Sequence, residues 1–262
     1  MSVQAAATPR PASTVLLLRD NAASEIEVFM MVRHHEIEFS SGALVFPGGK
    51  LEDADGDPRL RARCGGADKI GDGELKFRIA GVREAFEECG ILLARKAAGG
   101  PMLTTTALAE LLARHPDAGD FAAWIDRARL MLATDLLVPF AHWITPADQP
   151  KRFDTHFFLA PAPDQVARHD GHEATIVHWL TAEAAIAAAR RGEIKLVLPT
   201  RLNLLKLGRS GTVAEALDAA RRSEIVPVQP EIVETAGGPA FRIPAAADYG
   251  VTEVLVSSYR RA

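Results

Sequence analysis

The stretch from Leu75 to Cys89 constrains this chain more than any other. Leu75, Ile79, Val82, Phe86 and Cys89 recur at spacings of four, three, four and three residues, which places them on one face of an α-helix. Gly90 follows as a natural C-cap, with Ile91 placed to fold back on the last turn. A helix with one apolar face has to be covered, and strand-like runs lie on both sides of it. "STVLLLRD" (13–20) and "IEVFMMVRH" (26–34) flank the polar "NAASE" and predict a hairpin. "GALVFPGG" (42–49) predicts a third short strand ending in a Pro-Gly-Gly turn.

Beyond the helix, residues 104–132 predict two helices broken at "HPDAGD". "LLVPFAHWIT" (136–145) and "RFDTHFFLA" (152–160) predict a strand pair, and "ATIVHWLT" (174–181) another strand. Helices resume in "AEAAIAAARRG", "TRLNLLKLG" and "TVAEALDAARR", and the tail from Val226 alternates only loosely. Residues 56–74 are glycine-rich, mixed in charge and without period, and are expected as an exposed loop. No repeat and no interdomain linker is evident. The expected organisation is a frayed Ala/Pro-rich start over 1–12 and one α+β domain over 13–262, with an insertion at about 56–74 and a C-terminal extension from about 198.

The same helix carries Glu84, Glu87 and Glu88 at i, i+3 and i+4, on the face opposite the apolar stripe. Like charges at these spacings repel by roughly 0.2–0.5 kcal/mol per pair, and the last turns of a helix disfavour anions. A divalent cation reverses that penalty, and carboxylate oxygens suit Mg²⁺ or Mn²⁺. Arg83 reaches Glu87 at i+4 and can orient a carboxylate with its planar fork. The bland alternative is a solvated acidic face with one helix ion pair. The Pro-Gly-Gly turn weighs against it, because glycines let a backbone pass close to a ligand and expose a carbonyl, here that of Gly49.

At these residues the chain resembles the Nudix hydrolases. Their signature runs Gly, five residues, Glu, seven residues, then Arg-Glu-apolar-any-Glu-Glu-any-Gly-apolar. Its second half is complete from Arg83 to Ile91, and Gly49 supplies the opening glycine. The family spacing puts the arginine at position 63, but it stands at 83, twenty residues later. The first acid of the signature therefore has two rival occupants: Asp55, counted forward from Gly49, and Glu74, next to the place counted back from Arg83. The resemblance extends through "KRFDTHFFLAPAP" to the branch that holds the mammalian peroxisomal coenzyme A diphosphatase and its bacterial relatives. A coenzyme A element before the signature is half matched. Arg33, Gly42 and "FPGG" fall in register, while His34 and Glu38 replace a small residue and an arginine.

The resemblance implies a Nudix α/β/α sandwich, a mixed sheet between helices with C-terminal helical additions. It implies hydrolysis of a nucleoside diphosphate linked to another group, coenzyme A or acyl-CoA first. An ADP-ribose or dinucleotide pyrophosphatase is the rival enzyme, and a Nudix-derived binding or regulatory module without turnover the rival class. Gly49, Glu84, Glu87 and Glu88 are then the metal ligands for Mg²⁺ or Mn²⁺. Arg83 orients them, Glu84 is base or ligand, and Glu173, in "HDGHEATIVHWL", is a further metal ligand or the general base. Arg33, Gly48, Lys50 and Arg152 are the candidate substrate contacts, with Thr200 and Arg201 as pocket residues. Asp154 and Thr155 read as a structural hydrogen-bond pair, and His169, His172 and His178 as no ligand set. Leu202, Leu204 and Leu205 read as core or as a dimer contact, Nudix relatives being often homodimers.

Composition limits partners rather than fold. A formal net charge of −4 has the wrong sign for a general nucleic-acid binder. No apolar run approaches membrane-spanning length. "MSVQAAATPRPAS" lacks the apolar stretch of a secretory signal, and "SSYRRA" is not an "SKL"-type address, so a cytoplasmic setting is expected. Cys64 and Cys89, outside any metal-ligand spacing, are expected as reduced thiols.

Overall fold

The computed structural model of the protein describes residues 7–33, 42–116, 119–167 and 174–257. The predicted hairpin forms from β1 (Arg10–Asp20) and β2 (Ile26–Arg33). β1 starts at Arg10, inside the stretch expected to be frayed, because its first residues pair in parallel with Phe153 onwards. The third predicted strand is divided by Pro47 into β3 (Leu44–Val45) and β4 (Gly48–Lys50), which pair with β2 and β1 respectively. The remaining elements in chain order are α1 (Pro58–Ala62), α2 (Asp72–Cys89), β5 (Ala94–Arg95), α3 (Thr105–Arg114), α4 (Phe121–Arg127), β6 (Met131–Leu132), β7 (Val138–Ile144), β8 (Phe153–Pro161), β9 (Ala174–Thr181), α5 (Ala182–Arg190), α6 (Leu198–Leu207), α7 (Val213–Arg222), β10 (Pro227–Val228), β11 (Glu231–Thr235), β12 (Gly238–Arg242) and β13 (Glu253–Leu255).

The main sheet runs β10-β7-β8-β1-β2-β3, with β4 added on β1 and β9 on β2. β1 with β8 and β7 with β10 are parallel, the other pairs antiparallel, so the sheet is mixed. Strand alternation divides its two faces. Leu16 and Leu18 of β1 face a core shared with α5, α6 and α7, whereas Val15 and Leu17 face a core built on α1, α2, α3 and α4. The result is the expected helix–sheet–helix sandwich.

α2 begins three residues before Leu75 and ends at Gly90, whose left-handed backbone (φ 66°) closes the helix as its position suggested. The segment between the two halves of the signature is not the bare loop expected. Pro58 opens α1, the Asp57 side chain caps it by accepting from the Arg59 N–H, and Leu60 and Cys64 are buried. A five-residue helix is too short to show a period, which is why the composition read as loop. The C-terminal additions are helical only as far as Arg222. β11, β12 and β13 then form a separate antiparallel sheet. Leu202 and Leu204 are buried in the core of α5–α7, while Leu205 is exposed. Cys64 and Cys89 are buried free thiols, and burial pushes the Cys64 thiol up to about 11. Among the described residues no helix is long and apolar enough to cross a membrane.

Candidate active site

α2 packs against β1 and β4, and the close approach rests on Gly81. A β-carbon there would press into the Val15 side chain and Ser13 Oγ. This crossing carries the end of α2 to the Pro-Gly-Gly turn. The Gly48 N–H donates to Glu88 Oε2 at 2.8 Å. A β-carbon on Gly49 would overlap the Glu84 carboxylate, and one on Gly48 would overlap the backbone of Ser13 and Thr14. The turn needs both glycines because a strand lies on one side of it and an acid on the other. The two halves of the signature therefore meet in space.

Arg83 is buried at the centre of the arrangement. Its Nε and Nη2 donate to the two oxygens of Asp55 at 2.8 and 3.0 Å. Its Nη1 donates to Glu84 at 3.0 Å and Glu87 at 2.8 Å, and its Nη2 also reaches the carbonyl of Lys50 at 3.0 Å. Burial works against its charge, but the Asp55 hydrogen bond and the charges of Glu84, Asp55 and Glu87 outweigh it, holding the guanidinium above its usual range. Partial burial lifts the Glu87 carboxyl above its usual range. Arg83 opposes that rise, while Glu52 and Asp55 add to it.

The rivalry between Asp55 and Glu74 is resolved by position. Asp55 is fully buried on the Arg83 fork and also accepts from the Glu52 N–H at 2.8 Å. Glu74 pairs with Arg78 one turn along the same helix, its side chain 43% exposed. Asp55 is therefore no solvated loop acid, because a buried arginine draws it inward. Glu88 is likewise buried rather than part of a solvated face.

Glu84, Gly48, Gly49 and Lys50 open onto a cleft of about 1160 Å³. Its walls are Arg10, Ala12 and Thr14 of β1, Trp143 and Thr145, Phe153 and Thr155 of β8, and Val197–Thr200 at the start of α6. Ile232, Phe241 and Val256 close the far side; the loosely patterned tail had pointed to none of them. Thr155 lines this cleft, so the expected Asp154–Thr155 pair does not form. Asp154 bonds His142 instead. Arg152 also lines the cleft, buried, and donates to the carbonyls of Ala7 (2.7 Å) and Thr145 (3.0 Å) and to Gln229 (3.4 Å). Thr200 lines the cleft while Arg201 does not, and His178 is exposed on its strand. Arg33 ends β2, but its side chain, like Glu173, His169 and His172, lies outside the described residues.

The atoms on this part of α2 and the turn that could ligate a metal are carboxylate and carbonyl oxygens, a set suited to a hard divalent cation. Four carboxylates, of Asp55, Glu84, Glu87 and Glu88, are gathered around one guanidinium and one glycine turn.

A family model described as NUDT19 Nudix domain matches residues 62–207, more than half of the chain. The chain belongs to this family and is by family a Nudix hydrolase. It is similar to the acyl-coenzyme A diphosphatase NUDT19 of Homo sapiens, 30% identical over 204 residues, which cover 60% of this chain and 53% of that protein. The protein of the same name in Xenopus laevis is 25% identical over 235 residues, covering 72% and 61% respectively. The chain thus spans little more than half the length of these curated relatives. The crystal structure of a NUDIX hydrolase from Alicyclobacillus acidocaldarius superposes with a TM-score of 0.70 at 27% identity, covering 80% of this chain and 96% of that one.

Proposed function

We propose that the protein is a divalent-metal-dependent diphosphatase acting on coenzyme A-type substrates. It would cleave CoA or acyl-CoA to 4′-phosphopantetheine, free or acylated, and adenosine 3′,5′-bisphosphate. The observation that carries the reading is the junction of the glycine turn with α2, where Glu88 accepts from Gly48 and Glu84 lies against Gly49 at the mouth of the cleft. In this reading Glu84, Glu87, Glu88 and the Gly49 carbonyl hold Mg²⁺ or Mn²⁺. Such an ion neutralises diphosphate charge and acidifies bound water. Arg83, itself held by Asp55, keeps Glu84 and Glu87 in place. Glu84 is the base within the described residues, and Glu173 is the second candidate for that role.

Gly48, Lys50, Arg33 and Arg152 are assigned to the phosphates. Arg152 suits that role because it is a buried cation on the cleft wall whose acceptors there are neutral. The cleft exceeds the roughly 300–1,000 Å³ usual for small ligands, and Phe46, Trp143, Ile232 and Phe241 give it an apolar side. A substrate with a nucleotide at one end and an aliphatic arm at the other uses both. The names of the human and frog relatives support the same substrate class.

The test incubates the protein with Mg²⁺ or Mn²⁺ and CoA, acyl-CoA, ADP-ribose, NADH or diadenosine polyphosphates, and resolves the products. CoA or acyl-CoA cleavage that is lost in Glu87→Gln and Glu88→Gln is the expected result. Turnover of ADP-ribose alone would replace the substrate assignment and keep the enzyme. No turnover of any diphosphate with either metal would leave a binding module.

A further inference from the structure

A second cluster of ligand-type side chains lies on the other face of the sheet. His142 in β7 and His156 in β8 are direct register partners, and Asp154 stands two residues before His156, on the same face. The two imidazoles are stacked, with centroids 4.1 Å apart and planes 27° apart. His142 Nε2 is bonded to Asp154 Oδ1. One donor atom from each of the three residues lies within 4.8 Å of the other two. Phe153, Thr155 and Phe157 alternate with these residues and line the cleft, so the cluster points away from it, toward α2.

We propose that His142, Asp154 and His156 form a transition-metal site, two imidazoles and one carboxylate binding a divalent ion of the Zn²⁺ class. Imidazole nitrogen selects such ions over Mg²⁺, whereas the all-oxygen set near Gly49 prefers the reverse. The two sites are distinct. Phe77, whose ring lies 4.0 Å from that of His156, precedes Glu84 by seven residues on α2, roughly 10 Å along a helix axis.

Burial, then His142, pushes His156 down to about 4, with Asp154 and Glu74 opposing. Glu74 thus acts on the cluster from α2, balanced by its own partner Arg78. The His142 and Asp154 side chains retain 15% and 35% exposure, which gives an ion and a completing water a path in. Zn–N bonds near 2.0–2.1 Å put neighbouring donors roughly 3.3–3.5 Å apart in a tetrahedral site. His142 and Asp154 are now closer than this and the widest pair need not close far, so rotation of side chains suffices. An ion there would tie β7 to β8, whose opposite faces wall the cleft.

The experiment uses full-length protein without a polyhistidine tag, stripped with chelator, and titrated with Co²⁺ in excess Mg²⁺ and without substrate. One equivalent of Co²⁺ should give visible d–d absorption that Zn²⁺ abolishes. His142→Gln, His156→Gln and Asp154→Asn, shown by circular dichroism to be folded, should each weaken binding by at least roughly 10–100-fold, the loss produced even by an outer-shell partner. Glu87→Gln with Glu88→Gln should leave the spectrum intact. Absence of the band in the wild type, unchanged binding in the folded histidine variants, or loss confined to the glutamate variant would each overturn the proposal. Because no turnover is measured, the result is independent of the diphosphatase reading.

Discussion

Two buried arginines at the candidate active site are held in opposite ways. Arg83 is enclosed by acids, with Asp55 on its fork and Glu84 and Glu87 on its remaining nitrogen. Arg152 is buried to a similar degree, yet its acceptors are two carbonyls and an amide, and among the described residues no carboxylate pairs with it. Neutral acceptors satisfy hydrogen bonds without cancelling charge. The contrast separates two uses of one side chain. The charge of Arg83 is spent inside the protein on arranging acids, while that of Arg152 remains available to an anion in the cleft.

The comparison can be broken most forcefully at Arg83. Arg83→Ala leaves Asp55 as a buried charge without its fork, and stability should fall by about 3–5 kcal/mol, read as a lowered midpoint in urea. An equal loss in Arg152→Ala would erase the distinction. Next in size, Glu84→Gln keeps the shape beside Gly49 but removes a charge, and metal-supported kcat should drop on the order of 10²–10³-fold, as for loss of one preorganised electrostatic group. Asp55→Asn should cost roughly 10–100-fold in activity, the range for partners that orient a ligand set. Steady-state rates across Mn²⁺ concentrations should show the loss as weakened metal dependence.

At Arg152 the expected effect falls on binding. Arg152→Gln should raise KM for a 3′-phosphorylated substrate by about 10–100-fold with kcat little changed, matching about 1.5–3 kcal/mol for a hydrogen bond to a charged group. A fall in kcat at constant KM would move Arg152 out of the binding role. Exposed Lys50 should matter least. Lys50→Ala should cost no more than about 1 kcal/mol of binding, and the cost should disappear at high salt. A salt-independent effect there would mean that Lys50 is drawn into the cleft when substrate binds.

Legibility in the sequence followed the range of the interactions. α2 was readable almost to its ends because the apolar stripe, the glutamates and Gly90 all obey one local period. The hairpin of β1 and β2 and the pairing of β7 with β8 were readable for the same reason. α1 was not, since its five residues take their burial from packing on α4 rather than from a pattern of their own. β11, β12 and β13 were missed because their exposure alternates weakly, and only their place beside the cleft gives Ile232 and Phe241 a function. His142 and His156 could have been singled out only by fixing the β7–β8 register, which a bulge between Pro139 and Ala141 conceals.

By itself the sequence determined a helix with an Arg-Glu-x-x-Glu-Glu face and, separately, a Pro-Gly-Gly turn, because helical period and turn chemistry act over a few residues. Which acid joins Arg83 was a different kind of question. Glu74 lies on the same helix and Asp55 is 28 residues from the arginine, and counting along the chain chose neither. The tertiary structure decided for Asp55. A buried guanidinium needs a carboxylate that can be buried with it, and the chain returning from β4 carries Asp55 to that place while α2 turns Glu74 out toward solvent.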